Sequence, residues 1–271
     1  MQKNIQTDVS EEALVNAIRT NTCAFFRLVS SSNPAEHFEN SHFTRWYTPV
    51  PHPWFNGVLS SNPPTANDET FITESINYFR DKGVHTFTWW MEPHLKPLDW
   101  EPALSKHGFG FSDDTPGMAV DLHELNDSIQ ATDGFEIRTG ADEESLRTWT
   151  NIFIKGYGLP GAWASNTFDL WQKFGFDFPM RNYLGYLNGE PVSTSCVFFG
   201  GGAAGIYNVA TLPEARGKGL GAAITLQPLL DARQAGYRIG TLQSSDMGFN
   251  VYKKLGFRHL CQIENFYLSL Q

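Results

Sequence analysis

The sequence predicts an α/β protein built on a mixed, mostly antiparallel central sheet flanked by helices, with two such units in tandem. Three observations predict it: strand and helix signals alternate along the second half, an Asn-Gly pair lies between two strand-like segments, and a pattern recurs at a constant offset. The 271 residues, 41 % apolar and 14 % aromatic, can bury a substantial core. This length favours one large domain or two of ordinary size.

The predicted C-terminal copy begins with a strand, a helix and a hairpin. "FEIR" at 135–138 is a strand candidate, and the acidic start and helical spacing of "ADEESLRTWTNIFIKGY" at 141–157 predict a helix. The segments "RNYLGYL" and "EPVSTSCVFF" flank Asn188 and Gly189, which both tolerate positive φ. We therefore expect an antiparallel hairpin there.

The remaining elements follow in the same alternation. The apolar segment at 203–211 predicts a strand, and a helix is expected from about Ala222 to Ala235, with Gly236 as its C-terminal cap. After it come a strand in "YRIGTLQS", a short helix in "DMGFNVYKKL" and two closing strands in "RHLCQIENFYLSL".

An internal repeat predicts that the first half has the same plan. "LSKHGF" at 104–109 matches "YKKLGF" at 252–257, and "MAVDL" at 118–122 matches "FYLSL" at 266–270, each with an offset of 148 residues. The acidic, glycine-containing segment "NDSIQATDG" is the expected linker. The predicted division is 1–125 for the N-terminal copy, 126–134 for the linker and 135–271 for the C-terminal copy.

Composition limits the possible partners. Because 20 Lys and Arg face 29 Asp and Glu, the net charge of −9 argues against nucleic acid and favours cationic small molecules such as amines. No apolar run approaches the ~20 residues of a membrane span, and the N-terminus lacks the order of a secretory signal. We expect a cytoplasmic location and no membrane. The three cysteines and eight histidines show no ligand spacing, so no metal is predicted.

The segment "VATLPEARGKGLGAAI" at 209–224 contains the strongest functional signal. Three alternating glycines leave backbone amides unshielded at the start of a helix, and Arg216 and Lys218 add positive charge. This pattern favours an anion such as pyrophosphate, although glycines can also simply make a tight turn. A dinucleotide site is disfavoured because the acidic residue it needs about 20 positions on is absent, and Gly219 after Lys218 excludes a phosphate-binding P-loop.

This segment resembles the signature loop of the Gcn5-related N-acetyltransferases, in which Arg or Gln is followed, after two residues, by Gly-x-Gly or Gly-x-Ala. A second family pattern, ending in Leu-Tyr and Gly-Phe, has its counterpart in a later helix. The resemblance covers about 135–271 clearly, and the first half only through the repeat. The residues that match the second pattern are Ser245, Gly248, Val251, Tyr252, Gly256 and Phe257.

The resemblance implies acetyl-coenzyme A as co-substrate. The backbone of the strand before the loop would pair with the pantetheine arm, the loop amides would hold the pyrophosphate, and Tyr252 would lie near the thioester sulfur. Ser245 stands where the family often has asparagine, which changes one hydrogen bond to the arm. The implied cofactor-binding residues are Val209, Ala210, Thr211, Arg216, Gly217, Lys218, Gly219, Leu220, Gly221, Ala222 and Ser245.

Tyr252 is the candidate general acid. A thiol with a pKa near ~8.5 leaves more readily when a neutral phenol gives it a proton; the alternative is a half-buried structural tyrosine. The general base is unassigned, because the strand "GIYNVAT" has no carboxylate and Glu214, Asp246 and Glu264 are more typical of solvated surface residues. Water could carry the proton instead.

The first half lacks these features. Leu104 occupies the position that corresponds to Tyr252, and "NPPTANDETF" has no glycine-spaced cationic loop, so a degenerate copy is expected. The aromatic segment at 153–178 is interpreted as core, with "GYGLPGAWAS" as an alternative substrate-facing loop.

The predicted function is transfer of acetyl from acetyl-coenzyme A to an amine of a small-molecule or peptide acceptor, by direct attack in a ternary complex. A non-catalytic sensor or scaffold that binds acetyl-coenzyme A, and an acyl or aminoacyl transferase of the same superfold, remain as alternatives.

Overall fold

A computed structural model describes residues 5–33, 36–129 and 132–270, so residues 130 and 131 of the predicted linker lie outside the described residues. The helices are α1 Glu11–Ser31, α2 Asp68–Asp81, α3 Pro97–Ser105, α4 Glu143–Gly156, α5 Ala164–Gln172, α6 Leu220–Gln234 and α7 Asp246–Lys254. The strands are β1 His37–Glu39, β2 Phe43–Trp46, β3 Gly57–Ser60, β4 Thr86–Met91, β5 Gly110–Asp121, β6 Phe135–Gly140, β7 Met180–Leu187, β8 Glu190–Gly200, β9 Ala203–Thr211, β10 Ile239–Gln243 and β11 Arg258–Ser269.

The predicted fold class is confirmed. The β3/β4 and β9/β10 pairs are parallel, whereas the other registered strand pairs are antiparallel. The predicted hairpin is present between β7 and β8, where Asn188 and Gly189 have φ values of 52° and 88°. The prediction of two closing strands is wrong: β11 is one strand of 12 residues, because no glycine or proline interrupts 258–269.

The internal repeat has a structural counterpart. α3 is followed by β5, and α7 is followed by β11, with β5 and β11 again 148 residues apart and 12 residues long. Gly108 and Gly256, between helix and strand, both have positive φ (85° and 101°). The order β3–α2–β4 likewise corresponds to β9–α6–β10, each a helix between two parallel strands.

Contacts divide the chain into two compact units. The first contains residues up to 21 and 116–261, and the second contains 22–115 and 262 onward. The boundaries fall inside α1, β5 and β11. The predicted division at 126–134 concerns sequence repeats and stays a prediction.

The first unit has the strand order β5-β10-β9-β8-β7-β6, with α4 and α6 both packed on β8 and β9. Its part of α1 is attached through Asn21, which is fully buried. The Asn21 side-chain amide donates to the Gly200 carbonyl (2.8 Å), and its oxygen accepts from the Tyr207 hydroxyl (2.7 Å). Residues from the start of the chain therefore belong to the unit that carries the glycine loop.

The second unit has the order β1-β2-β3-β4-β11. Its core is aromatic, and the Trp89 indole donates to the Ser60 hydroxyl (2.7 Å) inside it. Its large buried side chains include Phe43, Phe79, Phe87, Trp89, Trp100, Phe109 and Phe266. Among the described helices of either unit, none is long and apolar enough to cross a membrane.

Candidate active site

The site begins where two parallel strands separate. β9 pairs with β10 only at Ala204–Ile206, opposite Gly240–Leu242. Beyond Ile206, β9 continues to pair with β8 alone, so one edge of its last residues has no partner strand among the residues that the structure describes. An unpaired strand edge offers amides and carbonyls to an extended ligand.

A β-bulge accompanies this separation. The register between β8 and β9 shifts between Thr194 and Cys196, and the extra residue Asn208 takes a left-handed φ of 55°. The Thr194 hydroxyl donates to the Asn208 carbonyl (3.1 Å), and the Asn208 amide donates to the Cys196 sulfur (3.4 Å). The bulge bends β9 at the point where its free edge begins.

The strand residues predicted to bind pantetheine follow the bulge. Val209, Ala210 and Thr211 are the last three residues of β9, and Ala210 and Thr211 pair with Thr194 and Ser193 of β8 on the other edge. The structure therefore places all three on the strand whose second edge is free.

The glycine loop connects this strand to α6. Gly217 and Gly219 have φ values of 78° and 75°, a region that favours glycine, and a Cβ on either would meet no atom within 4 Å. Gly219 is the N-cap of α6, and a Cβ on Gly221 would lie 4.0 Å from its nearest neighbour, the Thr211 hydroxyl. The surface above the three glycines is open.

The loop presents a row of free donors. Ala222 and Ala223 donate their backbone amides to the Gly219 carbonyl, but the five amides of residues 217–221 donate to none of the described residues. Donors at a helix N-terminus carry a partial positive charge and bind anions. We call residues 217–221 the amide cradle. Its size and charge suit a pyrophosphate.

Arg216 fixes the position of the cradle. Its guanidinium donates from Nε to the Thr211 carbonyl (3.1 Å) and from one terminal nitrogen to the Gly156 carbonyl (2.8 Å). It thereby joins the end of β9 to the end of α4. The Lys218 side chain is exposed, and the Lys218 carbonyl accepts from the Thr132 hydroxyl.

We expect Arg216→Ala to lower the free energy of unfolding by about 1–3 kcal/mol, because two carbonyls lose their charged donor. Lys218→Ala, a matched removal of an exposed cation, should change it by less than about 0.5 kcal/mol. Urea unfolding of the two variants and the parent measures both values. Equal stability of the two variants would show that the Arg216 hydrogen bonds contribute nothing.

Tyr252 lies on α7, and the residues predicted around it position it. Ser245 is the N-cap of α7, with its hydroxyl accepting from the Gly248 amide (3.3 Å). A Cβ on Gly248 would come within 2.6 Å of the Tyr252 ring, so the ring needs glycine there. Tyr252 is 8 % exposed, and burial raises the pKa of its phenol to about 12. The phenol is therefore a neutral proton donor at physiological pH.

Three further polar residues, Tyr157, Cys196 and Asn208, are linked to one another or to Tyr252 by electrostatic influence or a hydrogen bond, and the sequence had pointed only to Tyr157, within the aromatic segment. Burial raises the pKa of the Tyr157 phenol, with smaller contributions from Tyr252 and Cys196. Burial also raises the pKa of the Cys196 thiol to about 12, opposed by the hydrogen bond from Asn208. We call Tyr157, Cys196, Asn208 and Tyr252 the polar cluster. All four of its members are uncharged.

The sequence allowed two interpretations of the aromatic segment at 153–178, as core and as a substrate-facing loop, and different residues of the segment are buried and exposed. Trp171, Phe168 and Phe174 are buried core residues. Tyr157, at the end of α4, is 51 % exposed, although its hydroxyl lies deep enough for burial to dominate its pKa. One part of the segment thus lies in the core and another part at the surface.

None of the three carboxylates considered as a base is assigned that role. Glu214 and Asp246 are exposed, and Glu264 belongs to the second unit. The described residues also contain no cluster of three or more His, Cys, Asp or Glu side chains suited to a metal ion.

The fold and this site define an acyltransferase. Residues 146–257 match the model of the family described as "Acetyltransferase (GNAT) family". This confirms the resemblance drawn from the loop and the Tyr252 helix over residues 146–257. The matched range includes the free edge of β9, the amide cradle and the whole polar cluster.

Solved structures extend the similarity of fold to nearly the whole chain. A GCN5-related N-acetyltransferase from Kribbella flavida is 16 % identical, with a TM-score of 0.68, and the match covers 92 % of this chain and 94 % of that one. One from Sphaerobacter thermophilus is 14 % identical, with a TM-score of 0.59 and 91 % of each chain covered.

A tandem GNAT protein from the clavulanic acid biosynthesis pathway is 13 % identical, with a TM-score of 0.55, and the match covers 98 % of this chain and 97 % of that one. At these identities the likeness concerns the fold, and it supports the tandem arrangement. No curated protein matches the sequence.

Proposed function

We propose that this acyltransferase is an N-acetyltransferase that moves acetyl from acetyl-coenzyme A to an amine of a small molecule or peptide, by direct attack in a ternary complex. The observation that carries the proposal is the amide cradle, whose five free donors lie next to the free edge of β9. Few ligands other than an extended chain that ends in a pyrophosphate use both features.

The cofactor residues have distinct tasks in this proposal. The backbone of Val209, Ala210 and Thr211 pairs with the pantetheine amides, as an added strand would. Within the loop from Arg216 through Ala222, the five free amides of residues 217–221 surround the pyrophosphate, whereas the Arg216 and Ala222 amides donate to the Pro213 and Gly219 carbonyls; Lys218 adds charge from the exposed side. The Ser245 hydroxyl, which caps α7 as an acceptor, still has a proton to donate to the arm.

The chemistry requires one acid at the sulfur. The amine nitrogen attacks the thioester carbonyl, the C–N bond forms, and the C–S bond breaks with the electron pair going to sulfur. Tyr252 gives its phenolic proton to that sulfur, and the amine nitrogen loses a proton to water. Tyr252 suits this task because it is neutral and its hydroxyl donates to none of the described residues.

The N-terminal copy, predicted as residues 1–125 and lying largely in the second unit, is proposed to be degenerate and not to bind coenzyme A. Its α2 corresponds in topology to α6, but its first turn contains Asp68 and Glu69. The Asp68 carboxylate accepts from the Thr65 amide (2.7 Å). Carboxylates at this helix N-terminus take the place of a phosphate.

We also propose a cytoplasmic location, on the strength of the sequence alone.

A panel of acyl-coenzyme A donors and amine acceptors, read by release of the coenzyme A thiol, tests the function. We expect acetyl-coenzyme A to be the preferred donor and at least one amine class to accelerate thiol release. If acetyl-coenzyme A binds but no amine is acetylated, the protein is a sensor or scaffold. If longer acyl or aminoacyl donors are strongly preferred, it is a transferase of that type.

A further inference from the structure

The amide cradle and the free edge of β9 give the acyl donor a direction in the proposed function. The cradle follows the C-terminal end of β9, so an arm that starts there passes Thr211, Ala210 and Val209 in that order. The next residue in this direction is Asn208, and β10 occupies the edge from Ile206 onward. The thioester end of the donor therefore comes to Asn208, where the free edge begins.

The backbone of Asn208 is held in one conformation by its neighbours. Asn208 is the extra residue of the β-bulge, with a left-handed φ of 55°, and its carbonyl accepts from the Thr194 hydroxyl at 3.1 Å. The preceding residue, Tyr207, donates its hydroxyl to the fully buried Asn21 side chain at 2.7 Å. The bulge is thus formed by contacts within the first unit, before any ligand binds.

The Asn208 side-chain amide uses one of its two polar atoms within the protein. Its nitrogen donates to the sulfur of the fully buried Cys196 at 3.4 Å. Its oxygen accepts from none of the described residues, although an amide oxygen can accept two hydrogen bonds. Asn208 is half-buried, whereas Tyr207 and Cys196 are buried. The site therefore contains an oriented and partly accessible side chain with an unused acceptor.

An uncharged acceptor suits an attacking amine. The nucleophile is a neutral nitrogen whose lone pair points at the thioester carbon, so its N–H groups are left to be held by the protein. As the C–N bond forms, the nitrogen gains positive charge and its hydrogen bonds become stronger. An oxygen that accepts from this nitrogen therefore binds the transition state more tightly than the ground state.

We propose that Asn208 binds the acceptor amine, with its side-chain oxygen accepting a hydrogen bond from the amine N–H and holding the nitrogen beside the thioester carbon. Tyr252 still gives its proton to the sulfur, and the amine nitrogen still loses a proton to water. This inference rests on the proposed function and deepens it, because it assigns the acceptor side of the site to a residue outside the loop and helix motifs.

Asn208→Gly tests this role, because glycine accepts the left-handed φ and removes only the side chain. Thiol release is measured with benzylamine, spermidine and a short peptide with a free amino terminus as probe amines. Since a hydrogen bond to a group that gains charge is lost, we expect kcat/KM for the amine to fall roughly 10- to 100-fold. The Kd for acetyl-coenzyme A should not change.

Asn208→Asp is the conservative variant. Aspartate has the same shape, tolerates a left-handed φ and keeps an oxygen that accepts in either protonation state. It should therefore recover most of the kcat/KM that Asn208→Gly loses. An Asn208→Asp variant no faster than Asn208→Gly would overturn the inference, because the side chain would then act through its nitrogen.

The matched control is Asn188→Gly. Asn188 is a second asparagine with a left-handed φ (52°), and it lies in the turn between β7 and β8. Asn188→Gly should keep the parental kcat/KM, and all three variants should keep the parental thermal unfolding. An Asn208→Gly variant that unfolds normally but binds acetyl-coenzyme A more weakly would also overturn the inference, because Asn208 would then contact the donor.

The outcomes separate this inference from the proposed function. If the parent acetylates a probe amine and Asn208→Gly does so at the same kcat/KM, only the role of Asn208 is overturned. If the parent binds acetyl-coenzyme A but acetylates no amine, the proposed function and the role of Asn208 are both overturned.

Discussion

Tyr252→Phe is expected to lower kcat by 10²- to 10⁴-fold, the usual contribution of a general acid. The substitution removes only the hydroxyl, which donates to none of the described residues, and it keeps the ring that packs near Phe257 and over Gly248. We therefore expect no loss of stability and no change in affinity for acetyl-coenzyme A. Steady-state rates, a cofactor titration and thermal unfolding measure the three quantities.

The result separates a catalytic Tyr252 from a structural one. A drop in kcat together with a drop in melting temperature would mean that the phenyl ring alone does not preserve the site. A kcat within about threefold of the parent, well below the range of a general acid, would make Tyr252 a structural residue and would favour water as the proton donor.

Gly221→Glu is expected to weaken acetyl-coenzyme A binding by about three orders of magnitude. Two like charges about 4 Å apart repel by ~4 kcal/mol at an effective dielectric constant of ~20, and each 1.4 kcal/mol corresponds to about tenfold. The site accepts a side chain, because Gly221 does not need a left-handed φ and its Cβ would touch only the Thr211 hydroxyl at 4.0 Å. The loss should come from charge and not from misfolding.

The same carboxylate should stabilise the free protein. A negative side chain in the first turn of α6 interacts favourably with the helix dipole, typically by about 0.3–1 kcal/mol. We expect Gly221→Glu to melt no lower than the parent while losing the upward shift that acetyl-coenzyme A causes. Gly221→Gln, of similar size but uncharged, should retain most of the shift. If Gly221→Glu is stabilised by the cofactor as much as the parent is, the amide cradle does not hold the pyrophosphate.

Gly219→Glu would test the same site less clearly. Gly219 has a φ of 75°, so any side chain there strains the backbone at a cost of about 1–3 kcal/mol. A lost cofactor effect could then reflect an altered loop. Gly221 is the position at which charge can be changed without changing the conformation.

Sequence patterns predicted those parts of the site that depend on contacts within a few residues along the chain. The glycines of the cradle, the capping Ser245 and the close pair of Gly248 and Tyr252 each serve a conformation or a contact within a few residues along the chain. The Asn-Gly turn between β7 and β8 belongs to the same class.

The polar cluster was missed because it depends on register across strands. Asn208 becomes a bulge residue only through its pairing with β8, and Cys196 becomes its partner only through the shifted register. Tyr157 precedes Tyr252 by 95 residues and lies at the end of α4, which packs on β9. No periodicity or motif in the sequence indicates that such distant residues lie close together in the structure.

The chain passes from one unit to the other after residues 21, 115 and 261. This arrangement affects the order in which the protein folds during synthesis. Domains usually fold one after another as they leave the ribosome. Here β4 pairs with Phe266–Ser269 of β11, and those residues are translated after all of 116–261. The second unit, although most of it is made first, must wait with the β4 edge unpaired until residues 116–261 have been synthesised. A ribosome-bound chain that stops before residue 262 is therefore the state most exposed to strand-edge aggregation.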